Sequence, residues 1–273
     1  MKKILCLILA LVMCACMFVG CDKNTGGKDD EKKTLVCGVT IIPGLNEKDA
    51  NGNWTGFESE FAMEVGKILG MEVKFQEIEW SQKYNELNSG AIDCVWNGFT
   101  ANSSDKDPAG NLVDRSTLVD FSYGYMLNQQ CVVVKAANLA NFPNEAALMG
   151  KSACVEGGSA GETYAATATN GTISKTTAQI NAFTEVKSGA VEFAVVDIIL
   201  AQNVCGKGDY ADLAIVEAIQ LPSEIYAVGF KKGSDLTAKV NAAIKQLEEN
   251  GKLMELAQKY GFENVLQVTE NIK

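Results

Sequence analysis

Beyond residue 33 the apolar residues of this 273-residue chain keep changing period, from strand-like runs to stripes at helical spacing and back, and the series restarts once near residue 130. That alternation constrains the fold more tightly than any other feature, because strand and helix in turn is the rhythm of a parallel sheet with crossover helices. Residues 34–41 form an apolar, β-branched run. Phe57, Phe61, Val65, Ile68 and Leu69 then recur at helical spacing, and residues 73–78 return to strand. A helix carrying Tyr84 and Leu87 leads into a strand over 92–96, and a polar insertion at 101–114 precedes a strand at 118–121. The restart comprises strands at 131–135 and 152–155, helices beginning near Ser159 and Ala178, and a strand at 191–196. Two α/β lobes fit this series better than one oversized sheet. Two amphipathic helices follow, 235–249 and 252–260, with Gly251 as the break between them.

The first 33 residues lie outside the pattern. Lys2 and Lys3 precede an apolar run over 4–19, short for a membrane span and right for a secretory signal peptide at 1–20. The run ends Phe18-Val19-Gly20-Cys21, which resembles a lipobox with Cys21 as the acylated residue. Cys16, in Met13-Cys14-Ala15-Cys16, is the rival position; an ordinary cleaved signal and a retained membrane helix are the other readings. Residues 21–33 form a lipid-anchored flexible linker on this reading. From Asp22 onward it has no apolar residue, and it would reach about 20 Å as a coil.

Composition removes whole classes of chemistry. The chain has no histidine, so it has no Ser-His-Asp or Cys-His machinery, no imidazole base and no histidine-ligated zinc. Thirty-four acidic residues against 24 basic argue against a nucleic-acid partner. Five cysteines follow the leader: Cys37, Cys94, Cys131, Cys154 and Cys205, widely spaced and without a CxxC pair. The first four sit in apolar runs, where buried free thiols are the favoured reading and one disulfide the alternative.

Three segments can carry chemistry, each with a plain alternative. Arg115 is the only arginine among the 24 basic residues. Its planar fork pairs bidentately with a carboxylate, which an ammonium cannot imitate; chance retention on the surface is the alternative. Val155-Glu156-Gly157-Gly158-Ser159-Ala160-Gly161-Glu162 is a glycine-rich turn into a helix, a place where free amides bind anions. It lacks the spacing of nucleotide and dinucleotide loops, and a plain turn with Ser159 as N-cap is equally open. Asp197 ends the strand at 191–196, where open α/β sheets bind ligands, or caps a helix over 198–204.

These segments occur together with Gly56-Phe57-Glu58-Ser59-Glu60-Phe61-Ala62, Glu86-Leu87-Asn88-Ser89-Gly90-Ala91-Ile92-Asp93-Cys94, Trp96-Asn97-Gly98-Phe99-Thr100, Phe121-Ser122 and Tyr226-Ala227-Val228-Gly229-Phe230-Lys231-Lys232-Gly233. In that order they resemble the extracellular solute-binding proteins of polar amino-acid ABC importers, in a Gram-positive lipoprotein form, over roughly residues 34–263. The resemblance implies an α/β, two-lobed periplasmic-binding-protein-like (Venus-flytrap) fold joined by two hinge strands. Lobe one would take 34–125 plus 226–273 and lobe two 130–221, with hinges near 125–129 and 222–226. Arg115 matches the residue that clamps a ligand α-carboxylate, with Ser159 and the Ala160 amide completing the clamp, and Asp197 matches the acid that takes the α-ammonium. Gly98 and Thr100 match backbone and hydroxyl contacts, and Trp80 an aromatic wall. Glu156 stands where a residue can face the ligand side chain, which would favour a basic or amide one, although a solvated loop glutamate is the favoured reading.

Two departures mark the match. Thr40 stands where many relatives have Asp, and the next segment is shortened to Ile41-Ile42-Pro43-Gly44-Leu45, which leaves one ammonium ligand and one aromatic wall open. The insertion before Arg115 is about ten residues longer than usual, yet the distance from Arg115 to Phe121 is kept. The resemblance implies a free L-amino acid as ligand, an ABC permease as partner, a monomer anchored by lipid to the extracellular face of the cell membrane, and no cofactor, metal or catalytic residue. A small-carboxylate dehydratase on the same fold and a ligand-sensing protein are the alternatives.

Overall fold

The computed structural model describes residues 34–272. The expected signal peptide, linker and Cys21 or Cys16 lipidation site lie outside the described residues.

The first series opens with β1 (Thr34–Val39), followed by a hairpin of β2 (Glu47–Lys48) and β3 (Trp54–Thr55), helix α1 (Phe57–Leu69) and β4 (Glu72–Glu77). A 3-10 turn at Trp80–Gln82 runs into α2 (Lys83–Ser89) and β5 (Cys94–Val95). β1 lies between β4 and β5 and is parallel to both. After β5 come the hairpin of β6 (Ser104–Lys106) and β7 (Leu112–Asp114), the single turn α3 (Arg115–Leu118) and the 16-residue β8 (Asp120–Lys135). The second series is β9 (Ala153–Glu156), α4 (Ala160–Ala168), β10 (Ile173–Thr176), α5 (Gln179–Ser188), β11 (Phe193–Asp197), α6 (Ile198–Val204) and β12 (Leu213–Ile215). β9 is parallel to β10 and β11. The chain then returns along β13 (Ser223–Phe230) and ends in α7 (Leu236–Glu249), α8 (Lys252–Tyr260) and β14 (Leu266–Thr269).

All the main strands belong to one curled sheet in the order β10-β9-β11-β8-β13-β5-β1-β4, with β12 and β14 also paired to β8. The fold is therefore two α/β lobes sharing two long antiparallel strands. β8 pairs with β13 from Asp120↔Phe230 to Gln129↔Ser223, and then with β11 from Gln130↔Asp197 to Val133↔Ala194. Strands expected separately at 118–121 and 131–135 are thus largely the two ends of one strand, with Leu118 left in α3. Polar Asn128 and Gln130 interrupt its apolar run because both are buried at the junction of the lobes, where they bond buried carboxylates.

Local sequence accounts for the rest. Every residue of β9 and β11 is buried, as parallel strands covered on both faces require. The buried face of α1 runs through Phe57, Phe61 and Val65 but also through Glu58, Ala62 and Gly66, one step round the same turns. The insertion folds back on itself, with Ser104 opposite Asp114, so its extra length leaves the body as a hairpin and Arg115 stays in place. The five described cysteines are free thiols; Cys37 and Cys94 lie side by side on β1 and β5 with sulfurs 3.6 Å apart. Among the described residues no helix is long and apolar enough to cross a membrane.

Candidate functional site

Residues at or just past the carboxyl ends of β5, β9 and β11 meet between the lobes. Trp80, Gly98, Thr100, Arg115, Glu156, Ser159, Ala160 and Asp197, the ligand contacts expected from sequence, all line one cavity, joined by Asn97 and Gln179. In this closed arrangement the space measures about 10 Å³, room for about one water.

Arg115 opens α3 and is 1% exposed, which overturns the surface reading. Its Nη1 donates to Thr100 O at 3.1 Å and its Nη2 to Gly158 O, on the other lobe, at 3.2 Å. The guanidinium lies 5.2 Å from the centre of the Phe99 ring, and Nη2 is 3.8 Å from Asp105 Oδ2. A guanidinium has five N–H donors. Two are engaged here, and Nε has no hydrogen-bond partner among the described residues.

Gly98 sits at φ +55°, and a Cβ there would press on the Tyr226 ring at 3.0 Å, so the position is restricted to glycine on two counts. Its amide donates to both oxygens of Glu58. The Thr100 hydroxyl donates to Glu224 Oε2 at 3.1 Å, so only its lone pairs face a ligand. Thr40 is tied to Asn97 through its amide and hydroxyl, at 2.8 and 2.6 Å. The residue that replaces an expected Asp is therefore part of the wall's bracing.

On the opposite lobe, Ser159 is the N-cap of α4 and accepts from Glu162 N at 3.0 Å, so the plain cap reading holds while the first turn of α4 still faces the cavity. Gly161 keeps α4 close to β11: a Cβ there would meet Val195 O at 2.8 Å. Asp197 stands at the N-cap position of α6 but makes no capping bond with its side chain. Its carboxylate instead accepts from Asn128, Gln130 and Gln179. Burial raises its pKa, and those donors only partly offset the rise. Glu156 corrects the sequence reading: it is 2% exposed, not solvated, because it is the last residue of a fully buried strand. Burial pushes its carboxyl to about 8, helped by the charge of Asp197, and Oε1 has no hydrogen-bond partner among the described residues.

Sequence reasoning missed the acids and the lysine behind these walls. Glu58 accepts from Tyr125, Gly98 and Asn46, yet burial still lifts it to about 7. Its signal was its place on the small-residue stripe with Ala62 and Gly66. Glu224 accepts from Thr100, Asn128 and Gln130 and is raised to about 7 by burial and by Asp197. Lys83, 1% exposed, donates to Asp105 at 2.9 Å and across the cleft to Gly158 O at 2.9 Å. Burial and the neighbouring Arg115 lower it to about 8.

A cleft between two α/β lobes, with a guanidinium on one wall and buried carboxylates on the other, suits a small zwitterion. Residues 35–264 match the model of the bacterial extracellular solute-binding proteins, family 3. The chain belongs to this family. The arginine-binding extracellular protein ArtP of Bacillus subtilis is 26% identical over 264 residues, 95% of this chain and 98% of that protein. The L-cystine-binding protein TcyJ of Escherichia coli is 26% identical over 258 residues, 93% of this chain and 92% of that one. A solved ancestral arginine-binding protein bound to arginine superposes with a TM-score of 0.73 at 28% identity, covering 83% of this chain and 97% of its own. Family-3 proteins serve transport as binding proteins, and the two-lobed architecture here is theirs.

Proposed function

We propose that this family-3 protein captures a free L-amino acid between its lobes and delivers it to an ABC permease. The observation that carries the reading is the pairing, in one cavity, of Arg115 from lobe one with Asp197 and the start of α4 from lobe two. The guanidinium takes the α-carboxylate through its spare N–H donors, assisted by the first amides of α4. Asp197 takes the α-ammonium, with the carbonyl of Gly98 and the lone pairs of Thr100 beside it, and Trp80 covers the side chain. Relatives that bind arginine and cystine support the class of ligand.

Lobe one comprises 34–125 and 226–273 in this proposal, lobe two 130–221, and the strands hinge near 125–129 and 222–226. A cavity of about 10 Å³ does not admit an amino acid, so the lobes part to load it. Ligand favours closure because only the closed form brings both walls to it. The body acts as a monomer, tethered through lipid on Cys21 at the extracellular face of the membrane. Cys21→Ala should abolish that anchorage; unchanged membrane fractionation would move the site to Cys16 or remove the anchor.

Calorimetric titration of the protein with free, N-acetylated and amidated L-amino acids tests the reading. Tight binding of the free form alone is expected, and equal binding of the blocked forms overturns it. The rival dehydratase reading draws on Glu156, a buried acid held protonated near neutral pH. Product formed from small hydroxy-carboxylates would favour it; recovery of unchanged ligand favours the binder.

A further inference from the structure

We propose that Glu156 reads the ligand's side chain and that the bound amino acid is cationic, ending in an ammonium or guanidinium group. The inference rests on the amino-acid reading above and narrows it. Once Arg115 has taken the α-carboxylate and Asp197 the α-ammonium, one polar atom of the cavity wall is left over. Glu156 Oε1 is buried without a hydrogen-bond partner among the described residues, on a side chain 2% exposed that lines the same cavity. A buried carboxylate oxygen without a donor is costly, and a ligand cation supplies what is missing.

The neighbouring groups are already committed. Glu58 is held by Tyr125, Gly98 and Asn46, and Glu224 by Thr100, Asn128 and Gln130. Lys83 is spent on Asp105 and Gly158 O, so it does not neutralise Glu156 directly. Gln179 donates its amide to Asp197 and accepts from the Asp197 N–H; its side chain and backbone also favour the Glu156 carboxylate, less than burial opposes it, and leave Oε1 without a donor. The cavity wall thus carries two acids, Glu156 and Asp197, against the single guanidinium of Arg115, and burial keeps Glu156 protonated near neutral pH until a cation faces it. A neutral amino acid leaves Glu156 in its protonated form, and an acidic one adds a negative charge that opposes its ionisation. A cationic one closes the balance and lays its aliphatic stem along Trp80, whose indole is fixed edge-on to Phe99 at 5.2 Å.

Matched ligand pairs that differ in charge and little in shape test this without any variant. Titration with L-arginine and L-citrulline, and with L-lysine and L-norleucine, should show the cation of each pair bound at least about tenfold tighter. Glu156→Gln should weaken L-arginine by about tenfold or more and bring the L-arginine to L-citrulline ratio close to one. Equal affinities within both pairs of the wild type overturn the proposal while leaving the amino-acid reading intact. Unchanged L-arginine affinity in Glu156→Gln removes Glu156 from the role. If no free amino acid binds at all, the broader reading has failed first. Should Glu156→Gln not fold, the wild-type pairs alone decide.

Discussion

The two walls of the cleft are built on opposite plans. On lobe one nearly every polar group facing the cavity is already held by its own lobe or by the junction strands. Asn97 is locked to Thr40 and Asn46, Gly98 N–H to Glu58, and the Thr100 hydroxyl to Glu224. Arg115 on this wall keeps a buried donor, Nε, without a hydrogen-bond partner among the described residues. Lobe two instead presents acceptors, Asp197 held by three amide donors and Glu156 with an oxygen to spare. One wall is a rigid die with a single cation; the other completes the charge pattern when it swings in. In the proposed reading, recognition of the amino-acid backbone falls to Arg115 and Asp197, and recognition of the side chain to Glu156.

The largest effect should come from the lone cation. Truncating one partner of a buried, hydrogen-bonded charge pair costs about 2–5 kcal/mol, so Arg115→Met should weaken L-amino-acid binding by roughly thirtyfold to several thousandfold. Titration of the variant checks this, with circular dichroism to show that it folds. Because Arg115 also holds Thr100 O and Gly158 O, a modest fall in melting temperature is expected. A variant that unfolds outright would recast Arg115 as a structural residue and break the comparison.

Asp197→Asn should have a smaller effect on binding and none, or a favourable one, on stability. The lost charge-assisted bond to the ligand ammonium is worth about 1.5–3 kcal/mol, or roughly ten- to a hundredfold in affinity. In the unliganded protein burial raises the Asp197 pKa, so removing the charge relieves part of that desolvation. Thermal unfolding near neutral pH measures the second half of the statement. A destabilised Asp197→Asn would mean that the three amides need the charge and that this wall is scaffold after all.

Glu58 separates scaffold from site. It is buried under lobe one and does not line the cavity. Its folded pKa of about 7 lies above the ordinary 4.5, so the native state holds a proton that the unfolded chain releases. The associated stability is full below pH 4.5 and is lost as pH rises through 7, a change on the order of 1–3 kcal/mol. Denaturant titrations from pH 4 to 8 should show that slope in the wild type and a flatter one in Glu58→Gln, with ligand affinity at pH 7.5 within about threefold. A large affinity loss at unchanged stability would place Glu58 in the binding machinery.

Much of this comparison was legible in the residues alone, and what was not has physical causes. Strand and helix alternation follows from burial pattern, so β1, β4, β9, β11 and the helices between them could be read directly. The continuity of β8 could not, because Asn128 and Gln130 are polar for the sake of a buried carboxylate pair brought by distant β11 and β13. Arg115 and Asp197 stood out by rarity and by position at a strand end. Glu156 was misjudged because glycines follow it, which reads as an exposed turn although the strand before it is fully buried. Gln179 left no signal, since its role depends on the start of α5 meeting the end of β11, a tertiary contact between residues 18 apart.

The last prediction tests the junction of the two walls. Lys83 Nζ donates both to Asp105 Oδ2 on the hairpin and to Gly158 O on lobe two, each at 2.9 Å, while Arg115 Nη2 donates to the same carbonyl. Asp105 faces both cations: burial works against its charge, but Lys83 and Arg115 outweigh that and hold its pKa below the ordinary range. The bond to Gly158 O spans the lobes, so it forms only on closure, and its loss should act on how long the closed state lasts. Lys83→Met keeps much of the packing against Trp80, Tyr84 and Phe99 and removes the donors. It also spares the desolvation that lowers Lys83 to about 8, which offsets part of the lost bond. With a net hydrogen bond to a neutral carbonyl worth about 0.5–1.5 kcal/mol, ligand release should quicken by roughly two- to tenfold and association should change little. Stopped-flow fluorescence of the cleft Trp80 resolves the two rates. A Lys83→Met variant that slows association instead would make this lysine a guide for the ligand's incoming α-carboxylate, and the division between a fixed wall and a completing wall would have to include it on the binding side.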